Sequence, residues 1–555
     1  MHVEPEAIPC LGRPVLRRHS VAALAPWAII AAFAISCSIW DWSDQRVWPW
    51  DQAAYGEWTL KMWGARLHGL DAWIQALTYL NAGQPPALTW IAQFFAPLGG
   101  VTGSYEFALL MANVLASTCT LALVYLTCRR LGADILSASA GVVLCGGSGI
   151  MLSITTTYMT EALHATACTT MMFAALHADR RSLLRTFALC LAAVSFSFLV
   201  KSSSITFVAP MLTYATVAVL ISRGGRARTQ PLDFLFLMGA GALLGVSLLW
   251  YQTNWSRVVE HFISSTTDTR WGHSVQILEK LKFWLGNFAD AYSPYKFFTA
   301  GLALMFVAGL CVAVVRLMAT APKNLLVSAV RDGSLYVLAV LGMIAATLLA
   351  FSLQVNEDIR FLAPTIPPGA VLFAWSVSQF KLKVIRLLLC AVVTVSAVVN
   401  HAYAFGFDPL RLGWQHWSGP VERDARDKAR LEAAVRRTCI GVAGTPPVTN
   451  FIAASYPALN ANSIAFYAVK LAKHAAPACL FRHSSDEPDP DRVIELIHQV
   501  RPLYIVAINP NAPPSWKYVN AVAPPVATRL LGDPLYRVLA DPPSGLLLFQ
   551  ISAPP

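Results

Sequence analysis

Runs of about twenty apolar residues recur through most of this 555-residue chain, and no other feature limits its fold so strongly. A helix rises 1.5 Å per residue, so roughly 20 apolar residues match the ~30 Å hydrocarbon layer of a bilayer. Inside that layer every backbone N–H and C=O must find a partner within the protein, which helices achieve segment by segment. The runs are continuous rather than alternating, so they read as helices. About eleven satisfy the length criterion. They lie near 21–40, 104–127, 135–153, 161–178, 185–200 and 203–222, then near 232–251, 297–316, 334–352, 361–379 and 385–403. The stretch 85–100 has room for a further half-span.

Composition closes off the alternatives. Hydrophobic residues make up 56% of the chain and charged residues 13%, whereas soluble domains carry about 25% charged residues. Mean hydropathy is +0.51. A water-soluble enzyme, a disordered scaffold and a disulfide-rich secreted protein are all excluded. The net charge of +11 would suit nucleic acid if it were clustered, but its placement follows the apolar runs, so no nucleic-acid partner is expected. The eleven cysteines form no CxxC, and most sit inside apolar runs, where cysteine behaves as a small hydrophobe. The chain reads as a polytopic membrane protein.

Short loops on the cytoplasmic side of a membrane are enriched in Lys and Arg. With the N-terminus inside, the inner segments hold Arg13, Arg17, Arg18, Arg129, Arg130, Arg180, Arg181 and Arg185. The later inner loops add Arg223, Arg226, Arg228, Arg316, Lys323, Arg331, Lys381, Lys383 and Arg386. The outer loops are longer and poorer in basic residues. An odd number of spans then places the C-terminal tail outside. Residues 1–40 have the outline of a secretory signal, but Asp41-Trp42-Ser43-Asp44 follows the apolar run instead of a small-residue cleavage site. That run is expected to be a retained first helix. Arg outnumbers Lys 30 to 12, and the expected setting is a bacterial inner membrane.

The tail differs in character. Residues 404–555 carry 27 charged residues in 152 positions, against 46 in the preceding 403. Charges alternate at helical spacing from Arg423 to Arg437, Asp491–Val500 is amphipathic, and Leu503–Ile508 and Gly545–Ile551 read as buried strands. Residues 1–403 are therefore expected to form an all-α membrane domain, and 404–555 a small external α/β domain. The pairs Pro446-Pro447, Pro513-Pro514, Pro524-Pro525 and Pro542-Pro543 are expected to mark turns. Cys439 and Cys479 are the two cysteines of the tail and are available to pair in an oxidising compartment.

Ionisable residues are costly at membrane depth and point to function by default. Here they gather at the outer ends of the helices. The first outer loop, about 41–103, contains seven tryptophans, which an interfacial aromatic belt with surface-lying helices explains. Such a belt does not explain Asp51 about ten residues after the first span, nor Pro85-Pro86 opening an apolar helix.

These segments resemble the first external loop of the GT-C glycosyltransferases that use polyprenyl-phosphate sugars, the group of protein O-mannosyltransferases and lipid A aminoarabinose transferases. Asp51-Gln52-Ala53-Ala54-Tyr55 is similar to the family's Asp-Glu-x-x-Tyr-like motif, with Gln52 replacing an acid. Gln84-Pro85-Pro86-Ala87-Leu88 is similar to its Lys-Pro-Pro-Leu-like motif, with Gln84 replacing a Lys that in some members contacts donor phosphate. Tyr158-Met159-Thr160-Glu161-Ala162-Leu163 resembles the acidic opening of the fourth span. Phe198-Leu199-Val200-Lys201-Ser202 resembles the turn between the fifth and sixth. Asn356-Glu357-Asp358-Ile359-Arg360-Phe361-Leu362-Ala363-Pro364 resembles the opening of a late span. Five segments match in order over roughly residues 25–380.

The resemblance implies a transfer of sugar from a polyprenyl-phosphate donor to a hydroxyl acceptor at the outer membrane face, with inversion. Asp51 is the expected general base, and Glu161 would orient the acceptor or hold a divalent metal, or else simply complement its helix dipole. Gln52, Tyr55, Gln84, Lys201 and Arg360 are the expected substrate-binding residues, the two cations facing the lipid phosphate. Competing accounts are snorkelling for Lys201 and an internal ion pair with Glu357 or Asp358 for Arg360. His164 lies three residues after Glu161, on roughly the same face, where packing competes with metal ligation. The missing acid at Gln52 weakens the case for a metal. The segment Thr266–His273 is either a loop that closes over the donor or an ordinary solvated loop. The acceptor could be a glycan, a lipid or a protein. A transporter or lipid flippase is the alternative class, and it ordinarily wants polar or broken helices near the midplane. A third class, a non-catalytic protein that presents the tail outside, would not depend on Asp51.

Overall fold

The computed structural model describes residues 23–552 with the following exceptions: 82, 179–180, 223–227, 268–275, 408–419, 440–447, 454–459, 473–478, 484–486, 488, 509–516 and 540–545. Of 293–332, it describes only 307, 311, 315 and 330. The expected span at 297–316 therefore lies outside the described residues, as do the Thr266–His273 segment beyond Thr267 and three of the four Pro-Pro pairs.

The bundle opens with α1 (Ala25–Ser43) and a set of helices within the first loop: α2 (Trp50–Ala65), α3 (Leu70–Tyr79), α4 (Ala87–Ala92) and α5 (Ala96–Thr102). Then come α6 (Tyr105–Arg130), α7 (Ile135–Gly146), α8 (Gly149–Thr155), α9 (Glu161–Leu176), α10 (Leu183–Val200) and α11 (Ile205–Ile221). The membrane-type helices end with α12 (Pro231–Thr267), α13 (Ile277–Asp290), α14 (Ser334–Ser352), α15 (Ile366–Gln379) and α16 (Lys383–Ala404). Among the described residues eight helices are long and apolar enough to cross a membrane, and nine if the bent pair α7–α8 is one span. Side-chain caps start several of them: Ser104 accepts from the N–H of Phe107, Asp134 from Ser137 and Ser182 from Arg185.

Three differences from the sequence reading have physical causes. At 16 residues α9 is shorter than a span and is enclosed by other helices, so no lipid thickness sets its length. The run expected at 232–251 continues to Thr267 because no Gly or Pro falls between Gln252 and Thr267, so the first 16 residues of the stretch 252–296 anticipated as an outer loop are helix; α13 supplies more of the remainder. The stretch 85–100 forms two short helices rather than a half-span.

The bend between α7 and α8 is 60° and falls at Gly147, where α16 crosses. The Asn400 amide donates to the Gly147 carbonyl at 2.6 Å. At the other side of the bundle α12 leaves Phe234, Leu235, Met238, Leu248 and Leu249 exposed, a face suited to lipid.

The C-terminal part carries α17 (Arg426–Cys439), β1 (Val448–Ala453), α18 (Ala461–Leu471), β2 (Cys479–His483), α19 (Pro490–Val500), β3 (Tyr504–Ile508), α20 (Lys517–Gly532), β4 (Tyr536–Val538) and β5 (Leu546–Ile551). The sheet order is β2-β1-β3-β5-β4. β1 pairs in parallel with β2 and β3, and β5 pairs antiparallel with β3 and β4. Its core includes Phe451, Val493, Ile505, Val526 and Phe549. Pro524-Pro525 lies inside α20 rather than at a turn. Val522, Val526, Ala527 and Leu530 bury one stripe of that helix in the sheet core, and this burial outweighs the hydrogen bonds the prolines cannot make. Cys439 is disulfide-bonded, while the side chain of Cys479 lies outside the described set. α17 and α18 are tied to α6 by Glu106, whose carboxylate meets Lys428 and Lys470 at 2.9 Å and accepts from the Tyr467 hydroxyl at 3.0 Å.

The α7–α8 bend yields a packing test. A Cβ at Gly147 would lie 2.2 Å from that of Ala397, so Gly147→Ala is expected to cost about 1–3 kcal/mol of stability. Gly100→Ala, with no neighbour within 4 Å, is expected to be neutral. Thermal unfolding of the detergent-solubilised variants checks both.

Candidate active site

The first loop enters the site through a constrained turn. Trp48 is buried between Tyr158 and Phe466, with ring centroids at 4.9 and 5.0 Å, and its carbonyl accepts from the Ser463 hydroxyl at 2.8 Å. Trp50 has a φ of 29°, a strained conformation for a bulky residue. Asp51 follows in the first turn of α2, half exposed at the mouth of the bundle.

Glu161 arrives from beneath. The turn before it is pinned by one side chain, Asn113 of α6, whose amide nitrogen donates to the carbonyls of Ile154, Thr157 and Met159 at 3.2, 2.6 and 3.3 Å. Glu161 is the first residue of α9 and its side chain is 2% exposed. Lys201 caps the end of α10 in an extended conformation, and the 3₁₀ turn Ser202–Ser204 follows. Its ammonium meets Glu161 Oε1 at 2.9 Å and stands 4.3 Å from the centre of the Phe361 ring.

Arg360 joins these pieces. It sits in a 3₁₀ segment, Ile359–Thr365, ahead of α15. Its guanidinium lies 3.2 Å from Asp51 Oδ2, 3.8 Å from Glu161 Oε1 and 2.7 Å from Asp358 Oδ2. Asp358 also accepts from the Arg360 backbone N–H at 3.1 Å. The anticipated ion pair with Asp358 therefore forms. Glu357 turns instead to Lys280 of α13, at 2.7 Å, and the same ammonium donates to the Val355 carbonyl at 2.7 Å. Burial pushes the Asp358 carboxyl above the usual carboxylate range, although Arg360 opposes this. The shift acts to reduce the negative charge that Arg360 and Lys201 face.

Tyr55 lies one turn beyond Asp51 and its hydroxyl donates to Gln84, so the two loop motifs meet directly. Burial, with Glu161 and Asp51 nearby, holds the Tyr55 hydroxyl in its protonated form by pushing its pKa up. Gly83 takes a φ of +87°, and a Cβ there would lie 2.6 Å from the Arg257 carbonyl oxygen. That close approach seats the Gln84-Pro85-Pro86 turn on α12. Gln52 is buried beside Asp51.

Six of the anticipated residues, Asp51, Tyr55, Gln84, Glu161, Lys201 and Arg360, thus gather at one end of the bundle from α2, the loop before α4, and the starts or ends of α9, α10 and α15. His164 is buried on α9 against Phe207, with ring centroids 5.4 Å apart, and neither ring nitrogen has a hydrogen-bond partner among the described residues. Among the described residues no group of three His, Cys, Asp or Glu is placed to hold a metal ion, so the donor set for a divalent ion is not assembled there. The sequence reading missed Asn113 and Lys280. Asn113 is an amide in a long apolar span, which is itself the signal that would have found it, whereas Lys280 lies among other charged residues of the amphipathic α13 and carries no local signal.

Residues 83–251 match the family described as dolichyl-phosphate-mannose-protein mannosyltransferase, a stretch that includes Gln84, Glu161 and Lys201 but not Asp51 or Arg360. In three dimensions the chain is similar to ArnT from Cupriavidus metallidurans, both in the apo state and bound to undecaprenyl phosphate. Each comparison gives a TM-score of 0.60 at 14% identity and covers 96% of this chain and 98% of that one. No curated protein matches in sequence.

The Glu161 pair can be tested by neutralising its partners. Lys201→Met leaves a buried carboxylate with only the more distant Arg360, and is expected to destabilise the protein by about 1–3 kcal/mol. Adding Glu161→Gln is expected to recover much of the loss. A double-mutant cycle in thermal unfolding measures the coupling, and additive single effects would sink the assignment.

Proposed function

We infer from the GT-C fold of this chain, and from the charge cluster at one end of its bundle, that it is a membrane glycosyltransferase using a polyprenyl-phosphate sugar donor. The observation that carries the reading is the convergence of Asp51, Glu161, Lys201 and Arg360 from four separate elements. The cluster belongs at the outer face of a bacterial inner membrane, with the N-terminus inside, residues 1–403 spanning the bilayer and 404–555 outside. ArnT from Cupriavidus metallidurans has been obtained with undecaprenyl phosphate, and a lipid of that chemistry is the expected donor carrier here.

In the proposed reaction the acceptor hydroxyl oxygen attacks the anomeric carbon as the bond from that carbon to the phosphate oxygen breaks. The hydroxyl proton passes to Asp51, the one carboxylate of the cluster with an open approach. The phosphate leaves with the bonding electron pair, and its charge is met by Arg360 and Lys201. A single displacement inverts the anomeric centre. Glu161 orients both cations and does not itself react. Gln84, held by Tyr55, and Gln52 would hydrogen-bond sugar hydroxyls without adding charge.

A phosphate drawn to Arg360 competes with Asp51 for the same guanidinium. Donor binding would therefore loosen the Asp51 contact and free the carboxylate for the acceptor. The alternative reading, a transporter or flippase, calls for ionisable groups near the bundle's middle, whereas the charges described here stand at its end.

With purified protein and a panel of labelled undecaprenyl-phosphate sugars, Asp51→Asn is expected to lower transfer by about 10²–10⁴-fold while the fold is kept and donor binding is at least as tight as in wild type, because the competing carboxylate is gone. Transfer within a few-fold of wild type would remove Asp51 as the base. Arg360→Gln is expected to weaken donor binding as well as turnover.

A further inference from the structure

The proposed transfer reaction gives α18 of the C-terminal part no role, yet that helix holds the segment that carries Asp51. Residues 44–49, between α1 and α2, form no helix or strand, so no hydrogen-bond ladder of their own fixes them. Gln45 donates its N–H to the Glu422 carbonyl at 2.7 Å; nearer to Asp51 the anchor is Trp48. One face of its indole stacks on Tyr158, with ring centroids 4.9 Å and planes 14° apart. The other face stacks on Phe466 of α18, at 5.0 Å and 17°. Its carbonyl accepts from the hydroxyl of Ser463, also in α18, at 2.8 Å. Trp48, Ser463 and Phe466 are buried. Of these three contacts the bundle supplies one and α18 two. α18 is itself anchored: Tyr467 and Lys470 bind Glu106 of α6 at 3.0 and 2.9 Å, and Lys470 also meets Glu432 of α17 at 2.9 Å.

We propose that α18 is a positioning element for sugar transfer, with Phe466 and Ser463 as positioning residues that set the place of the Asp51 carboxylate by holding Trp48. The inference rests on Asp51 as the base. Two residues separate Trp48 from Asp51, and neither offers much slack. The ring of Pro49 restricts φ, and Trp50, at a φ of 29°, has a conformation that a bulky side chain keeps only where its surroundings enforce it. Phe466 also braces the other side of Asp51: a Cβ at Gly56 would lie 2.8 Å from the Phe466 ring, so α2 rests directly on it. The Asp51 side chain is half exposed, so the backbone does more than packing to place its carboxylate. A base works only within hydrogen-bond reach of the proton it takes, and a misplacement of about 1 Å can cost about 10²-fold in rate.

The C-terminal sheet stands behind this contact. Phe451, Ile505 and Phe549 face the core that α19 and α20 close. Ile452, Val506 and Leu548, on the opposite face, belong to the same apolar core as Phe466, Trp48 and Tyr55. The sheet thus backs α18, and α18 passes that support to the loop before the base. A fully buried phenyl ring offers nothing to an acceptor hydroxyl, so the contact is a brace and not an acceptor site.

The test uses purified full-length protein, with hydrogen–deuterium exchange over residues 47–56 and transfer from labelled undecaprenyl-phosphate sugars to a bacterial membrane extract. Phe466→Leu is expected to raise exchange over 47–56 and to lower kcat about 10–100-fold, with the donor KM within about twofold of wild type. In the Asp51→Asn background it is expected to lower the residual rate no further, because it acts through that carboxylate. Val526→Ala, in the core on the far side of the sheet, is expected to destabilise the C-terminal part without either effect. Ser463→Ala, which removes the donor to the Trp48 carbonyl, serves if Phe466→Leu does not fold. Unchanged exchange or unchanged kcat in a folded α18 variant would overturn the assignment. So would an equal fall in both backgrounds, or the same effects in Val526→Ala. A wild type that transfers nothing, or Asp51→Asn at the wild-type rate, would overturn the reading of the base and the catalytic role of α18 with it, while exchange still shows whether α18 holds the loop.

Discussion

One guanidinium organises the charged end of this protein's bundle. Arg360 faces Asp51, Glu161 and Asp358, which come from α2, α9 and its own 3₁₀ segment. Its side chain is largely buried, and a buried charge without partners costs several kcal/mol even after relaxation. The surrounding elements are therefore obliged to deliver carboxylates to it. Lys201 completes the arrangement by sharing Glu161, the most deeply buried of the three acids. Removing one member leaves the others unbalanced, so the cluster acts as a unit that holds together segments more than 300 positions apart in the chain.

Neutral groups set the geometry within which these charges meet. Asn113 binds three carbonyls of the turn before Glu161 and thereby fixes where α9 starts. Trp48, held between Tyr158 and Phe466, links the first loop to that same turn on one side and to α18 on the other. Gly56 permits this, since a Cβ there would lie 2.8 Å from Phe466 and 2.9 Å from Trp48. Lys280 secures the segment before Arg360 through Glu357 and the Val355 carbonyl. The first loop is thus a packed layer rather than a surface decoration, although α3 keeps Leu70, Ile74 and Tyr79 exposed as an interfacial helix would.

The sequence exposed its spans and its charged motifs because both are local signals. Length and hydropathy locate α6, α10, α14 and α16 nearly to the residue. Asp51, Glu161, Lys201 and Arg360 stand out because charge at a helix end in an apolar chain is expensive. What was not legible depends on tertiary contact. Nothing local distinguishes the tandem proline of α20 from a turn, since the deciding factor is the sheet core against which Val526 and Leu530 pack. The continuation of α12 past Tyr251 was hidden because polar residues ended the apolar run without ending the helix. Arg360 had two neighbouring acids as candidates for an ion pair, and only the fold separates Asp358, which takes it, from Glu357, which goes to Lys280.

The two glutamines that depart from the motifs this chain resembles have a common physical sense. Gln84 stands where the resembled motif in some proteins has a lysine, and its carbonyl is engaged by the Tyr55 hydroxyl, a contact an ammonium could not accept. Gln52 stands where the resembled motif has a second acid, next to Asp51 and buried. One positive and one negative charge are thus missing together, and the net charge of the mouth is the same as if both were present. Under the proposed reaction the lipid phosphate would then be held by Arg360 and Lys201 alone, both already neutralised in part by Glu161. The consequence under that proposal would be a donor site that binds phosphate by exchange of partners rather than by filling an empty positive pocket. In that proposed reaction Asp51 would be released only when the donor is in place, which would couple donor binding to activation of the base and leave the carboxylate paired, as it is here with Arg360, while no sugar is present.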